Sequence, residues 1–199
     1  FNFGASNDRF SSFGADAGEM NYYFIYGSII RQILNQYSQL TGRINIPPIW
    51  SLGFHQSRWS YYPDSEVLNL AQTFREKKIP LDVVHLDIHF MDAYKIFTWH
   101  PERFPNPAET LGKLRSMNVH TTIIVDPGIK VEKGYKAYEE GMKDNYFIKY
   151  PDGQNYTAQV WPGWCHFPDF TSPDVRKWWG NSFAPLIKDW FLPHTTHCE

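Results

Sequence analysis

The chain is short of cysteine, of net charge and of long apolar runs, and each shortage removes a class of protein. Only two cysteines, Cys165 and Cys198, occur in 199 residues, which makes neither a disulfide framework nor a zinc pattern. A formal charge of -2 supplies no attraction to nucleic acid or to an anionic membrane surface. No apolar stretch approaches the ~20 residues of a membrane-spanning helix, and no signal peptide is visible. A glycine-rich phosphate loop, a G-x-S-x-G elbow and a Cys/His nucleophile signal are also missing, so no motif asks for a cofactor. The run His194-Thr-Thr-His197-Cys198-Glu199 has metal-ligand residue types, but ligands this close together rarely close a shell by themselves, and no metal is expected. Residue 1 is Phe rather than Met, which reads as a missing N-terminus and leaves the compartment open.

Aromatic residues are abundant, with 8 Trp, 12 Tyr and 15 Phe making 18% of the chain. Most of them must build a core. The surplus suits a carbohydrate site, because sugar rings present flat C–H faces that aromatic rings can cover. The length suffices for one domain with a real core, and no internal repeat at a fixed period is present.

The organising stretch is Leu81-Asp-Val-Val-His-Leu-Asp-Ile-His-Phe-Met91. Its apolar run, bounded by Pro80 and interrupted by Asp82 and His85, predicts a strand buried on both faces, as in a parallel sheet. It ends in Asp87, the place where α/β enzymes put polar chemistry, although an acid there equally caps the following turn. Before it, residues 1–19 are rich in Gly, Ser and Asp and read as the turn-laden end of a β-rich region. Residues 20–26 are a strand candidate, Ser28 is placed to cap a helix, and Ile46-Pro-Pro48 forms a stiff linker with a domain boundary near it.

After the linker the pattern alternates between strand and helix. Residues 50–56 predict a strand. A helix from about Asp64 sets Val67, Leu70, Ala71 and Phe74 on one face. The strand over 81–88 follows, then a capping box at Asn106-Pro-Ala-Glu109, then a strand over 119–125 that runs into Asp126-Pro-Gly128. Residues 146–150 and 155–160 flank Pro151-Asp-Gly153 as a hairpin inserted after the third strand. Ser172-Pro173 opens a long helix carrying Val175, Trp178, Trp179, Phe183, Leu186, Ile187 and Trp190 on one side. Such alternation predicts a parallel sheet with right-handed crossovers. A (β/α)8 barrel needs ~250 residues, so a barrel here is incomplete, with three to four units.

Asp87, Asp126 and Asp169 are the acids of interest. The first two end successive strands and emerge on one rim, where two carboxylates can act as an acid/base or nucleophile/acid pair. Asp126 and Asp169 are equally accounted for as turn-formers. Trp59, Trp161 and Trp164 lie near these acids in the chain, placed either to stack on a sugar or to pack the loops.

Taken together, several motifs resemble glycoside hydrolase family 31, the α-glucosidase family. They are Gly53-Phe-His-Gln-Ser-Arg-Trp-Ser-Tyr-Tyr62, Leu86-Asp-Ile-His-Phe-Met-Asp92, Phe97-Thr-Trp-His-Pro-Glu-Arg-Phe-Pro105, Ile123-Ile-Val-Asp-Pro-Gly-Ile129, Val160-Trp-Pro-Gly163 and Phe167-Pro-Asp-Phe-Thr171. The resemblance covers roughly residues 20–190. It implies an α/β fold, an incomplete TIM barrel preceded by the tail of a β-sandwich. The domain expectation is a sandwich end over 1–26, a linking helix and proline linker over 27–47, barrel over 48–190 with the hairpin near 146–160, and an aberrant or truncated tail over 191–199.

The activity implied is retaining exo-cleavage of α-linked glucose from non-reducing ends. The partner implied is a small oligosaccharide or α-glucoside, with neither nucleic acid nor membrane. Carried over by position, Asp87 would accept hydrogen bonds from hydroxyls of the terminal sugar, while Ile88, Trp59, Ile124 and Trp161 wall the same subsite. Asp126 and Asp169 stand in a second tier. The family's nucleophile lies in a Trp-x-Asp-Met-Asn-Glu sequence and its acid/base farther on; neither occurs here, so the chain is expected to be catalytically inactive. The alternatives are a non-catalytic carbohydrate-binding remnant or an α-xylosidase or other α-glycosidase of the same family. Ile88 favours the glucosidase branch over the xylosidase branch, which tends to Cys-Phe-Trp at this place, whereas His89 departs from the acid usual in α-glucosidases.

Overall fold

The computed structural model describes residues 2–186, and the chain divides between residues 46 and 47 into two compact units. In the first unit, Asn2–Phe3 (β1) pairs antiparallel with Ser11–Ser12 (β2). A single helix follows, Ile30–Thr41 (α1), stopped at Gly42. Its N-cap is Ile29 with no side-chain cap, so Ser28 does not play the expected part; the Ser28 amide instead donates to Gln32 Oε1 (2.9 Å). Residues 20–26, expected as a strand, have no ladder partner among the described residues.

The second unit opens with a 3-10 turn at Ile49–Leu52, which shortens the expected first strand to His55–Gln56 (β3). The cause is local. Pro47 and Pro48 hold an extended entry, and the Pro48 carbonyl accepts from both the amide and the hydroxyl of Ser51 (3.0 and 2.7 Å), closing a turn where a ladder would otherwise begin. Asp64–Glu76 (α2) follows, with Val67 and Ala71 fully buried, as the apolar spacing predicts. Then come Val83–Leu86 (β4), Pro107–Ser116 (α3) and His120–Ile123 (β5). The capping box forms at α3: Asn106 Oδ1 accepts from the Glu109 amide (3.4 Å) and Asn106 Nδ2 donates to Glu109 Oε2 (3.0 Å).

The strands order as β3-β4-β5, all parallel, with α2 and α3 as the crossovers. One side of β4, Val84 and Leu86, joins Val67 and Ala71 of α2, Leu114 of α3 and Val119 in the core. Alternation along the strand then turns His85 and Asp87 to the opposite face. Arg75, in the last turn of α2, donates to the carbonyls of Leu81, Met117 and Asn118 (2.8, 2.9 and 3.2 Å), satisfying acceptors at the end of α3 and ahead of β4.

Asp82 accounts for its own interruption of the apolar run. Its Oδ2 accepts from the Phe54 amide (2.9 Å), its amide donates to the Phe54 carbonyl (2.9 Å), and its carbonyl accepts from His120 (2.8 Å). Residue 53 must be Gly here, because a Cβ would lie 2.1 Å from Asp82 Oδ2.

Beyond β5 the chain makes a second sheet, antiparallel and ordered β6-β8-β7, from Ile129–Lys130 (β6), Ala158–Val160 (β7) and Gly163–His166 (β8). The inserted hairpin is thus displaced from its expected register. Around Pro151-Asp-Gly153 only a single bridge, Lys149 to Asn155, forms, and the true hairpin turns at Trp161-Pro162. Helix Lys136–Lys143 (α4) was not expected: its short, charge-rich sequence carries Gly141, which is required because a Cβ there would lie 2.3 Å from the Phe147 ring. Cys165 of β8 is fully buried, and burial pushes its thiol up to about 11. Pro173–Ser182 (α5) buries Val175 and Trp178; residues Ile187 and Trp190 of the expected helix, and the His194–Glu199 run, lie outside the described residues.

Gly53→Ala is expected to lower unfolding free energy by ~1–3 kcal/mol, the range for overpacking and for losing a hydrogen bond to a carboxylate. Urea denaturation with an unchanged m-value measures it; an unaltered midpoint would show that the Asp82 staple contributes nothing.

Candidate functional site

The face of the parallel sheet turned away from the helices is polar beyond the buried Val83. His55 and Ser57 follow β3 along it, His85 and Asp87 follow β4, and Thr122 and Ile124 follow β5. The register sets His85 against Thr122 and Leu86 against Ile123, so Asp87 stands level with Ile124 just past the ends of two parallel strands. A hollow of about 400 Å3 opens there, lined by Ser57, Arg58, His85, Asp87, Thr122 and Ile124 together with Leu86 and Ile123. His85, which lines it, approaches His55 of the adjoining strand with Nε2 3.0 Å from His55 Nδ1, a hydrogen bond that requires one ring to carry the shared proton. Burial, and then the neighbouring His55, hold His85 below the usual imidazole value.

Asp87 does both things open to it. Its Oδ1 accepts from the Ile88 amide (2.7 Å), capping the turn Ile88–Phe90, and the same side chain lines the hollow. Ile124 shares that hollow. Ile88 does not, being 4% exposed and packed into the core. Trp59, 70% exposed, lines an adjoining hollow that has Arg58 in common with the first. Trp161, 64% exposed, sits at the β7–β8 turn, and Trp164 is exposed on β8. Trp161 is nevertheless tied to the rim: Val160 packs on Gly128, where a Cβ would lie 2.7 Å from Val160 Cγ2, so the Asp126-Pro-Gly128 turn and the Trp161 turn are neighbours. Asp126 is half-buried beyond β5. Asp169 caps a turn, accepting from the Thr171 hydroxyl (2.6 Å) and amide (3.1 Å); these bonds hold its carboxyl below the usual range.

Beside the Asp87 hollow stands a column of stacked groups. The Arg103 guanidinium lies 4.5 Å from the centroid of Tyr62, and Tyr62 stacks on His89 with centroids 4.9 Å apart at 9°. His89 Nδ1 meets Ser60 Oγ at 2.8 Å, Tyr94 lies edge-on to the imidazole, and Trp59 is tilted against it at 5.9 Å. Arg103 Nη1 also donates to the His89 carbonyl (3.3 Å). Farther along the rim, Lys95 bridges Asp92 and Glu132 (3.0 Å each), and the bond to Asp92 leads in raising its pKa. The column and the histidine pair were not singled out from the sequence. The period-two spacing of His55 with Ser57 and of His85 with Asp87 is the signal that would have shown the polar face.

The description "Glycosyl hydrolases family 31 TIM-barrel domain" matches residues 44–193. The chain belongs to glycosyl hydrolase family 31. Alpha-glucosidase 2 of Bacillus thermoamyloliquefaciens is 47% identical over 180 residues, which cover 90% of this family 31 chain and 23% of that protein. Alpha-xylosidase 1 of Arabidopsis thaliana is 40% identical over 166 residues, covering 82% of this chain and 18% of the other. Among solved structures, the glucosidase II alpha subunit in its alpha3-Glc2-bound form superposes with a TM-score of 0.74 at 33% identity, over 77% of this chain and 17% of that one. The family 31 chain therefore spans about a fifth of the length of these relatives, and its parallel sheet with crossover helices is a part of the family's TIM barrel.

The folded chain is expected to hold His85 below the 6.5 of a free imidazole. The unfolded chain therefore takes up that proton first: the contribution is complete above pH 6.5 and is lost as the pH falls from there toward the folded value. Titrating the imidazole resonances by NMR checks this. Replacing His55 by Asn should raise the His85 value while leaving it below 6.5, because burial is the larger cause.

Proposed function

We propose that this chain carries the sugar-gripping part of a retaining, exo-acting α-glucosidase, which hydrolyses O-glycosidic bonds at non-reducing ends of small oligosaccharides or α-glucosides. The observation that carries the reading is the hollow in which the Asp87 carboxylate and Ile124 meet beyond the ends of two parallel strands, the place where TIM-barrel enzymes keep their chemistry. An ionised carboxylate suits this task. It accepts from sugar hydroxyls in bonds worth ~1.5–3 kcal/mol each, and a wrong epimer leaves one of them unmade. Ser57, Arg58, His85 and Thr122 offer further polar partners around the same space. Trp59 and Trp161, exposed on the two neighbouring loops, are the walls on which a ring would lie, and residues 1–26 are the end of a preceding β-sandwich.

Bond cleavage is assigned to groups other than these. Asp87 is a binding acid in this reading, and Asp126 and Asp169 are second-tier residues, Asp169 being committed to its turn. A retaining mechanism needs a nucleophile and an acid/base ~5–5.5 Å apart. The family's Trp-x-Asp-Met-Asn-Glu sequence does not occur in the 199 residues, so the chain taken alone binds without turning over. An α-xylosidase reading draws on the relative of that name, but Ile88 stands where that branch tends to Cys-Phe-Trp.

Calorimetry with maltose is expected to give saturable heat, and Asp87→Asn to weaken binding roughly 10- to 100-fold, the equivalent of one charge-assisted hydrogen bond. Purified chain should release nothing from an aryl α-glucoside. Equal affinity of the Asn variant would remove Asp87 from the sugar site, and genuine turnover would overturn the division between gripping and cleaving.

A further inference from the structure

The seam between β3 and β4 is short and is fastened at both ends. Its ladder pairs only His55 with Val83 and Gln56 with Val84. At the start, Asp82 Oδ2 accepts from the Phe54 amide and the Asp82 amide donates to the Phe54 carbonyl, each at 2.9 Å. At the other end stands the imidazole pair, with His55 Nδ1 3.0 Å from His85 Nε2 and ring centroids 5.2 Å apart. Past that pair the chain leaves the ladder as Ser57 and Arg58, which line the hollow. Few charged or titratable groups share this face. Besides His55, the β3 side brings Arg58, which lies over the Tyr61 ring at 5.1 Å. Besides His85, β4 brings Asp87, whose Oδ1 accepts from the Ile88 amide. From β5 come His120, stacked on Trp50 at 4.1 Å, and then the uncharged Thr122 and Ile124. Among the described residues neither imidazole of the pair bonds a carboxylate.

We propose that the pair is a proton-operated clasp, which holds the site end of the β3–β4 seam while at least one ring is neutral and releases it when both are charged. The chemistry has three states. With both rings neutral, an N–H of one donates to the bare nitrogen of the other. With one ring charged, the imidazolium donates to its neutral neighbour, so the bond survives the first proton. With both charged, two N–H groups face each other, no acceptor is left and like charges meet. Burial and the neighbouring His55 hold His85 below the usual imidazole value, which places the release below pH 6.5. Asp82 still fastens the start of the seam, so release loosens residues 55–57 and the Ser57–Arg58 wall of the hollow without detaching β3. The β4–β5 ladder, four pairs long, contains no such pair of facing imidazoles. This device needs no ligand and does not rest on the sugar-site reading.

Amide hydrogen exchange of the full chain, corrected for the intrinsic pH dependence of each amide, tests the clasp between about pH 7.5 and about pH 5. Protection across residues 55–57 is expected to fall about fivefold to tenfold, the loss of one hydrogen bond. The fall should coincide with the later of the two imidazole titrations followed by NMR. The His120 amide, which donates to the Asp82 carbonyl across the neighbouring seam (2.8 Å), is the internal reference and keeps its protection. His55→Asn and His85→Gln each put an uncharged amide where the facing nitrogen stood, and either should leave the protection of 55–57 flat over this range. The proposal is overturned if that protection stays constant in the parent, if His120 loses protection by the same factor, or if a folded variant still shows the step. A step that follows the first imidazole titration and not the second overturns it as well.

Discussion

Asp82 ties the three parallel strands together where they begin. A carboxylate in the middle of an apolar run is costly unless it finds donors, and here it finds the amide of Phe54, with its backbone holding both β3 and β5. Everything at the far end of the sheet follows from that start. Pairing propagates from Asp82 through Val83 and Val84, and five residues on from Asp82 it delivers Asp87 beside Ile124. A slip of one residue would turn His85 and Asp87 into the helix-packed core and Val84 and Leu86 outward, so the staple sets the site as well as the sheet.

The two faces of this sheet divide the work. Val84 and Leu86 pack with α2 and α3 and give the hydrophobic stabilisation. The opposite face carries His55, Ser57, His85 and Asp87, groups that pack poorly and bind well. In a barrel this face points inward, where layers of branched apolar side chains are the usual filling. A polar interior at this level is the mark of a pocket. The rim loops are then held by separate devices: stacked rings at Tyr62 and His89, a lysine bridging two acids at Lys95, and close backbone approach at Gly128.

Helices were the most legible elements, because the spacing of Val67 with Ala71 and the Asn106–Glu109 box are local signals that tertiary contacts did not override. Strands β4 and β5 were legible for the same reason. The expected strand over 50–56 is shortened to His55–Gln56 because Pro47, Pro48 and the Ser51 turn act on the backbone and not on hydrophobicity. The hairpin was misplaced because Pro151-Asp-Gly153 is the stronger turn sequence, while Trp161-Pro162 is the turn that pairs β7 with β8. Helix α4 was invisible: Gly141 counts against a helix in sequence, and only the Phe147 ring explains it. In the candidate site, Asp87 could be read from its strand end, and Ile124 from the family resemblance alone. Tyr62, His89 and Arg103 could not be joined beforehand, since residues far apart in the chain meet only once the loops are folded.

Cys165 gives the β6–β8–β7 sheet an internal clock. A sulfur with no exposed surface, and with its ionisation pushed up to about 11, presents almost no thiolate to an alkylating reagent at neutral pH. Reagent reaches it only when β8 separates from β6 and β7. The labelling rate at this one atom therefore counts the breathing of the sheet that carries Trp161 and Trp164.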